Sequence, residues 1–157
     1  MEDSVSRIAG KIVKNKLKMK FPTSYKEINK IFLNASDPAI AELSGDYIVD
    51  ILSFLPSFKR FNHRKVMYVK GDNHMGYNVL FGKTWGSFSV SEETFRESGF
   101  LKAVRLNYNL KDNVFPIKNI RDYIRCIEEK SLYIGKFYYL VLGYPILIGY
   151  FSLEKIQ

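Results

Sequence analysis

The chain has 157 residues but only one cysteine, one tryptophan, two histidines and five prolines. A lone cysteine, Cys126, excludes an internal disulfide, so the fold must rest on its core. It also fits a reducing compartment, and a cytoplasmic location is expected. His63 and His74 fall in neither an HxH nor an HExxH spacing, so a metal centre is not expected. Cys126 lies between Arg125 and Ile127 with no histidine nearby in the chain, and reads as a small buried hydrophobe rather than a nucleophile. No catalytic motif and no cofactor fingerprint is present. Gly82-Lys83-Thr84 has the wrong glycine spacing for a phosphate loop and sits in a hairpin context.

Long apolar runs are missing as well. A secretory signal is not expected, because Glu2 and Asp3 stand where a basic region belongs. The segment Ile8 to Met19 is also interrupted by Lys11, Lys14, Asn15, Lys16 and Lys18. The longest uncharged stretch, Phe137 to Leu153, has 17 residues, fewer than the roughly 20 of a spanning helix. It contains Gly143, Pro145, Gly149 and four tyrosines, and predicts a hairpin turning on Leu142-Gly143-Tyr144-Pro145, not a transmembrane segment.

What is abundant is aromatic residues and basic charge. Twelve Phe, eleven Tyr and ten Gly favour strands and tight turns over a helical bundle. The net charge of +8 is concentrated at the start, where residues 1–30 hold eight bases against three acids. There Val5, Ile8, Ala9, Ile12, Val13 and Leu17 form an apolar stripe at helical spacing, and Arg7, Lys11, Lys14 and Lys18 a basic one. Such a helix packs on the domain with its lysines in water, or docks on an anionic surface, either membrane or nucleic acid.

Phe21-Pro22 ends this helix. Ser24 and Glu27 have capping-box spacing and start a second, with Ile28, Ile31 and Phe32 inward. A short third helix is expected with Asp37 as cap, Pro38 at its first position and Ile40 and Leu43 inward, closed by Gly45. The chain thus divides into an N-terminal helical part, residues 1–42, and a strand-rich part, 43–157. Eight strands are expected near 46–54, 64–70, 74–81, 84–90, 100–109, 119–128, 132–141 and 146–154. The turns are Gly71-Asp72-Asn73, Gly82-Lys83, Lys111-Asp112-Asn113, Glu128-Glu129-Lys130 and Gly143-Tyr144-Pro145. Short strands joined by close turns predict a mainly-β fold, an antiparallel up-and-down barrel. The longest loops, 55–63 and 91–99, remain; the first holds Pro56, Phe58, Lys59, Arg60, Phe61 and His63, a candidate flap over a barrel mouth.

Leu43-Ser44-Gly45-Asp46-Tyr47 opens the strand region after a short helix. This resembles the Gly-x-Trp start of lipocalin-like (calycin) barrels, with Tyr47 in place of the tryptophan. The family's late arginine, which packs on that tryptophan, has only Lys155 to correspond to it. Pro116-Ile117, Arg125-Cys126-Ile127-Glu128-Glu129 and Leu132-Tyr133-Ile134-Gly135 are similar to small uncharacterised bacterial domains of this type. The resemblance spans about residues 43–155. It implies an interior that holds a small hydrophobic or amphipathic ligand, without catalysis, and it leaves the ligand and oligomeric state open.

Alternation along Ile120 to Ile127 sets Asp122 with Ile120, Ile124 and Cys126, and Arg121, Tyr123 and Arg125 on the opposite face. An inward Asp122 needs a partner or a raised pKa. Arg105, grouped with Leu101 and Ala103, is one candidate partner, and Tyr138 and Tyr150 are others. The competing reading is a structural ion pair or a strand end in water. Tyr47, Tyr77, Tyr108, Tyr138 and Tyr150 are candidate polar handles in an apolar cavity, while Trp85 either lines it or covers a surface. Were the chain an enzyme, Asp122 with a tyrosine such as Tyr150 would be its acid and base. Gly76, Gly86, Gly135 and Gly149 fall inside strands, where a sheet bends or bulges.

Overall fold

The computed structural model describes residues 19–52, 62–95 and 101–157. The basic residues Arg7, Lys11, Lys14 and Lys18 and the flap residues Pro56, Phe58, Lys59, Arg60 and Phe61 lie outside them. Eight antiparallel strands close in sequence order: β1 (Gly45–Ile51), β2 (Arg64–Lys70), β3 (Asn73–Leu80), β4 (Lys83–Phe95), β5 (Leu101–Asn107), β6 (Ile120–Glu128), β7 (Leu132–Val141) and β8 (Tyr144–Lys155). The molecule is a mainly-β, up-and-down barrel of lipocalin-like form, as its spacing of strands and turns predicts. Closure between β1 and β8 leaves no free sheet edge. The main departure is in β4, which pairs with β5 as far as Phe95↔Leu101 and so takes up half of the expected 91–99 loop.

One helix, α1 (Tyr25–Asn34), starts where Ser24 accepts a hydrogen bond from the Glu27 amide. It buries Ile28 and Phe32 against the outside of the wall, in one cluster with Ala103 of β5, Ile134 and Tyr138 of β7 and Tyr150 of β8. Arg125 of β6 fastens its end. The guanidinium donates to the carbonyls of Phe32, Ala35 and Lys102 and to Asp37. It thereby satisfies acceptors that a helix C-terminus leaves open. The expected third helix is only a 3-10 turn, Ile40–Glu42. Asp37 does not cap it, because its carboxylate is taken by Arg125.

The interior divides along the barrel axis. At one end Leu43, Tyr47, Met67, Phe88, Val104, Leu106, Ile124, Cys126, Tyr133 and Leu153 pack solidly, with Ile40 against them. Two glycines permit this density. Phe88 lies on Gly76 and Phe151 on Gly135, so close that a β-carbon at either glycine would clash with the ring. Here Tyr47 and Lys155 meet: the ammonium stands 5.8 Å from the ring centroid and the side chain lies across Gly45. The other end carries the β1–β2, β3–β4, β5–β6 and β7–β8 connections and is not filled by the described residues.

Candidate functional site

That unfilled end contains a cavity of about 470 Å³. Its lining includes Val49, Ile51, Leu80, Phe137 and Phe151, with His63, Lys65, Trp85, Tyr108 and Asp122, and the surface facing the cavity is almost wholly apolar. The polar groups join into one buried cluster. Lys65 Nζ is 3.0 Å from Asp122 Oδ2, 2.8 Å from Asn78 Oδ1 and 2.5 Å from the Tyr108 hydroxyl. The ammonium thus donates two hydrogen bonds and is held in an ion pair on its third side. The rings of Phe88, Tyr108 and Phe151 surround the same ammonium at 5.3 to 5.5 Å from their centroids.

The hydrogen-bond directions follow from one fixed point. The β4 chain bulges at Gly86, which has φ +56° and is skipped in the pairing of β3 with β4. Its carbonyl accepts from Asn78 Nδ2 at 3.1 Å. A carbonyl can only accept, so Nδ2 is the amide nitrogen and Oδ1 the acceptor. His63 Nε2, 3.2 Å from that Oδ1, must then carry the proton, and Nδ1 is left as a lone pair. Tyr108 accepts from Lys65 and Asn78 and donates to Asp122 Oδ2 at 3.2 Å.

Burial sets the electrostatics. It raises the Asp122 carboxyl above its ordinary range, opposed by Lys65 and by hydrogen bonds from Lys65 and Tyr108. It also lowers the Lys65 ammonium, opposed by Asp122. His63 is pushed down to about 4, first by burial and then by the Lys65 charge, with its bond to Asn78 opposing, so it is neutral at pH 7. Four buried polar atoms have no partner among the described residues, and two of them belong to residues of this site: Asp122 Oδ1 and Trp85 Nε1.

Of the residues singled out in the sequence, Asp122, Tyr108 and Trp85 come together at this cavity. Tyr150 borders it but directs its hydroxyl to Asn29 at 3.0 Å, beneath α1. Tyr138 belongs to the outer cluster under α1, edge-on to Tyr123. Tyr77 is paired with Tyr68, half-exposed on the outer face, and Tyr47 is buried at the packed end, donating to the Leu43 carbonyl. Arg105 is not inside. It pairs with Glu93 at 2.7 Å on the outer face, and its neighbours Val104 and Leu106 point inward. The covered wall explains this reversal, since α1 buries Ala103 on the outside as fully as the core buries Val104 inside. Strand β5 therefore shows no apolar-in, polar-out alternation to read. The partner of Asp122 is Lys65, not Arg105, Tyr138 or Tyr150. Lys65 escaped sequence reasoning, while His63 is expected in a flap over the mouth and Asn78 among the polar handles of a cavity. Arg64-Lys65 resembles an ordinary exposed basic pair, and the only local sign is Lys65 in phase with Met67.

Cys126 is buried, and burial, followed by nearby Glu129, raises its thiol, so it is not an activated nucleophile. Among the described residues no cluster of metal-ligating side chains is found, and no helix is long and apolar enough to cross a membrane. No family model matches the chain, and no match is found among curated proteins. The fold is similar to the crystal structure of a protein from Thermomonospora curvata, with a TM-score of 0.54 at 12% identity and 99% of each chain covered. At that identity the likeness concerns the fold alone.

Proposed function

We propose that this barrel binds a small hydrophobic or amphipathic molecule in its unfilled end. The observation that carries the reading is the cavity of about 470 Å³, apolar over almost all of its wall. At about 30 Å³ per water-sized centre, it has room for about fifteen non-hydrogen atoms. Trp85, the single tryptophan, lines it and reports on occupancy. Native mass spectrometry of protein purified from its host is expected to show a co-purifying molecule, and dodecyl compounds should shift Trp85 emission. A bare chain whose emission ignores every apolar probe would sink the reading.

Acid–base catalysis in the same cavity is the second reading, favoured by the position of Asp122 at the cavity wall. Its acid–base partner would be Tyr108, since Asn29 holds the Tyr150 hydroxyl. Recovery of the bound molecule unchanged after incubation supports binding alone. Conversion by the wild type and not by Asp122→Asn supports the enzyme. The basic stripe of Arg7, Lys11, Lys14 and Lys18 is proposed to add contact with an anionic surface. Salt-sensitive vesicle or nucleic-acid binding, lost on deleting residues 1–20, is its test.

A further inference from the structure

We infer that the cavity selects long-chain ligands whose polar end is neutral, an alcohol or primary amide, over fatty carboxylates. This rests on the binding reading above and specifies its ligand. Among the described residues Lys65 is the one cation in the cavity lining, and it is engaged: it donates to Asn78 Oδ1 and Tyr108 and is ion-paired with Asp122 Oδ2. With Asp122 it forms a pair of zero net charge. The two partnerless polar atoms of the lining residues, Asp122 Oδ1 and Trp85 Nε1, are buried within the wall, and the surface that faces the cavity is apolar almost throughout. A neutral hydroxyl or amide is the polar group that costs least to bring against such a wall. A carboxylate would bring its charge out of water to stand near Asp122 with no spare ammonium to meet it, which costs several kcal/mol.

The test is a titration of the full chain at neutral pH with dodecanol, dodecanamide and dodecanoate, read by Trp85 emission. The alcohol and the amide are expected to bind at least about tenfold tighter than dodecanoate, the factor that 1.4 kcal/mol of discrimination produces. Asp122→Asn, which leaves Lys65 unneutralised, should invert the order in favour of dodecanoate. Equal or tighter binding of dodecanoate by the wild type overturns the headgroup assignment and leaves the binding reading standing. Silence with all three probes removes the binding reading itself. The wild-type ratio decides the matter even if the variant does not fold.

A second surface follows from different residues. The β5–β6 and β7–β8 connections lie at the open end, and their tips hold exposed apolar side chains: Val114, Phe115 at 76% exposure, Leu142 at 93% and Tyr144 at 75%. Lys83 and Lys111 are exposed at the same end, with Asp112 the acid between them in charge. Apolar tips with cations around the mouth of an apolar cavity fit an anionic lipid surface. Leucine and phenylalanine enter the acyl boundary, tyrosine stays at headgroup level, and lysines meet the phosphates. We propose that the open end docks on such a membrane. The full chain should co-float with phosphatidylcholine vesicles containing about 30% phosphatidylglycerol. The double variant Phe115→Glu, Leu142→Glu should lose most of that binding while unfolding at the same temperature. No flotation of the wild type, or undiminished flotation of the variant, overturns the proposal, the latter by pointing to residues 1–18.

Discussion

Replacing Lys65 by methionine tests whether the buried cluster acts as a unit. The change removes the 3.0 Å ion pair from Asp122 Oδ2, the 2.8 Å donor from Asn78 Oδ1 and the 2.5 Å donor from Tyr108. Asp122 keeps one hydrogen bond, from the Tyr108 hydroxyl, and its Oδ1 has none already. Breaking one side of a buried pair typically costs about 3–5 kcal/mol, because the other charge stays buried without compensation. That is a large share of the roughly 5–15 kcal/mol that holds a domain together. Asp122→Leu should cost a similar amount. The double variant Lys65→Met, Asp122→Leu should recover most of the loss, since an apolar pair of similar volume replaces a pair whose desolvation offsets its attraction. Urea unfolding followed by far-ultraviolet circular dichroism gives all three values. The pH profile adds a sign. Without Lys65 the Asp122 carboxyl lies still further above its unfolded range. Such a group contributes stability while it is protonated and loses it as pH rises through the folded value. The Lys65→Met deficit should therefore shrink towards acid pH, the reverse of ordinary acid denaturation. Single costs below about 1 kcal/mol, or singles that simply add, would refute the coupled-cluster argument.

Three further outcomes are expected. His63 has a pKa lowered to about 4, so it contributes stability above its ordinary value near 6.5 and loses it as pH falls through 4. The loss is about 3 kcal/mol if it titrates alone. His63→Gln should flatten that part of the stability profile. Gly135→Ala places a methyl against the Phe151 ring and should cost about 1–3 kcal/mol by thermal unfolding, relieved by shortening Phe151 to Leu. Arg125→Lys should not replace arginine, because an ammonium cannot reach the Phe32, Ala35 and Lys102 carbonyls in fork geometry. Amide exchange of Tyr25–Asn34 should accelerate in that variant, while the interior strands stay protected.

The strands were legible because their signals are local. Turn residues at Gly71-Asp72 and Gly82-Lys83, and the spacing of aromatic and branched side chains between them, set the hairpins within a residue or two. Ser24 and Glu27 marked the start of α1 for the same reason. Alternation grouped Asp122 with Ile124 and Cys126 against Arg121, Tyr123 and Arg125 but left open which face is inward; the structure turns the Asp122 face in and pairs its carboxylate with Lys65. The same rule failed at Arg105, Tyr138 and Tyr150. All three lie on or beside the wall that α1 covers, where the outer face is apolar too.

The amino-acid order determined the hairpins, the barrel class and the grouping of Asp122 with Ile124 and Cys126, since each depends on contacts between near neighbours in the chain. Tertiary structure alone decided which end of the barrel is packed and which is hollow. It also decided that the cation meeting Asp122 comes from β2, and that the Gly86 bulge turns a carbonyl onto Asn78. Those are meetings between distant strands, set by closure and register. A lysine destined for a buried ion pair has the same local neighbourhood as one destined for water.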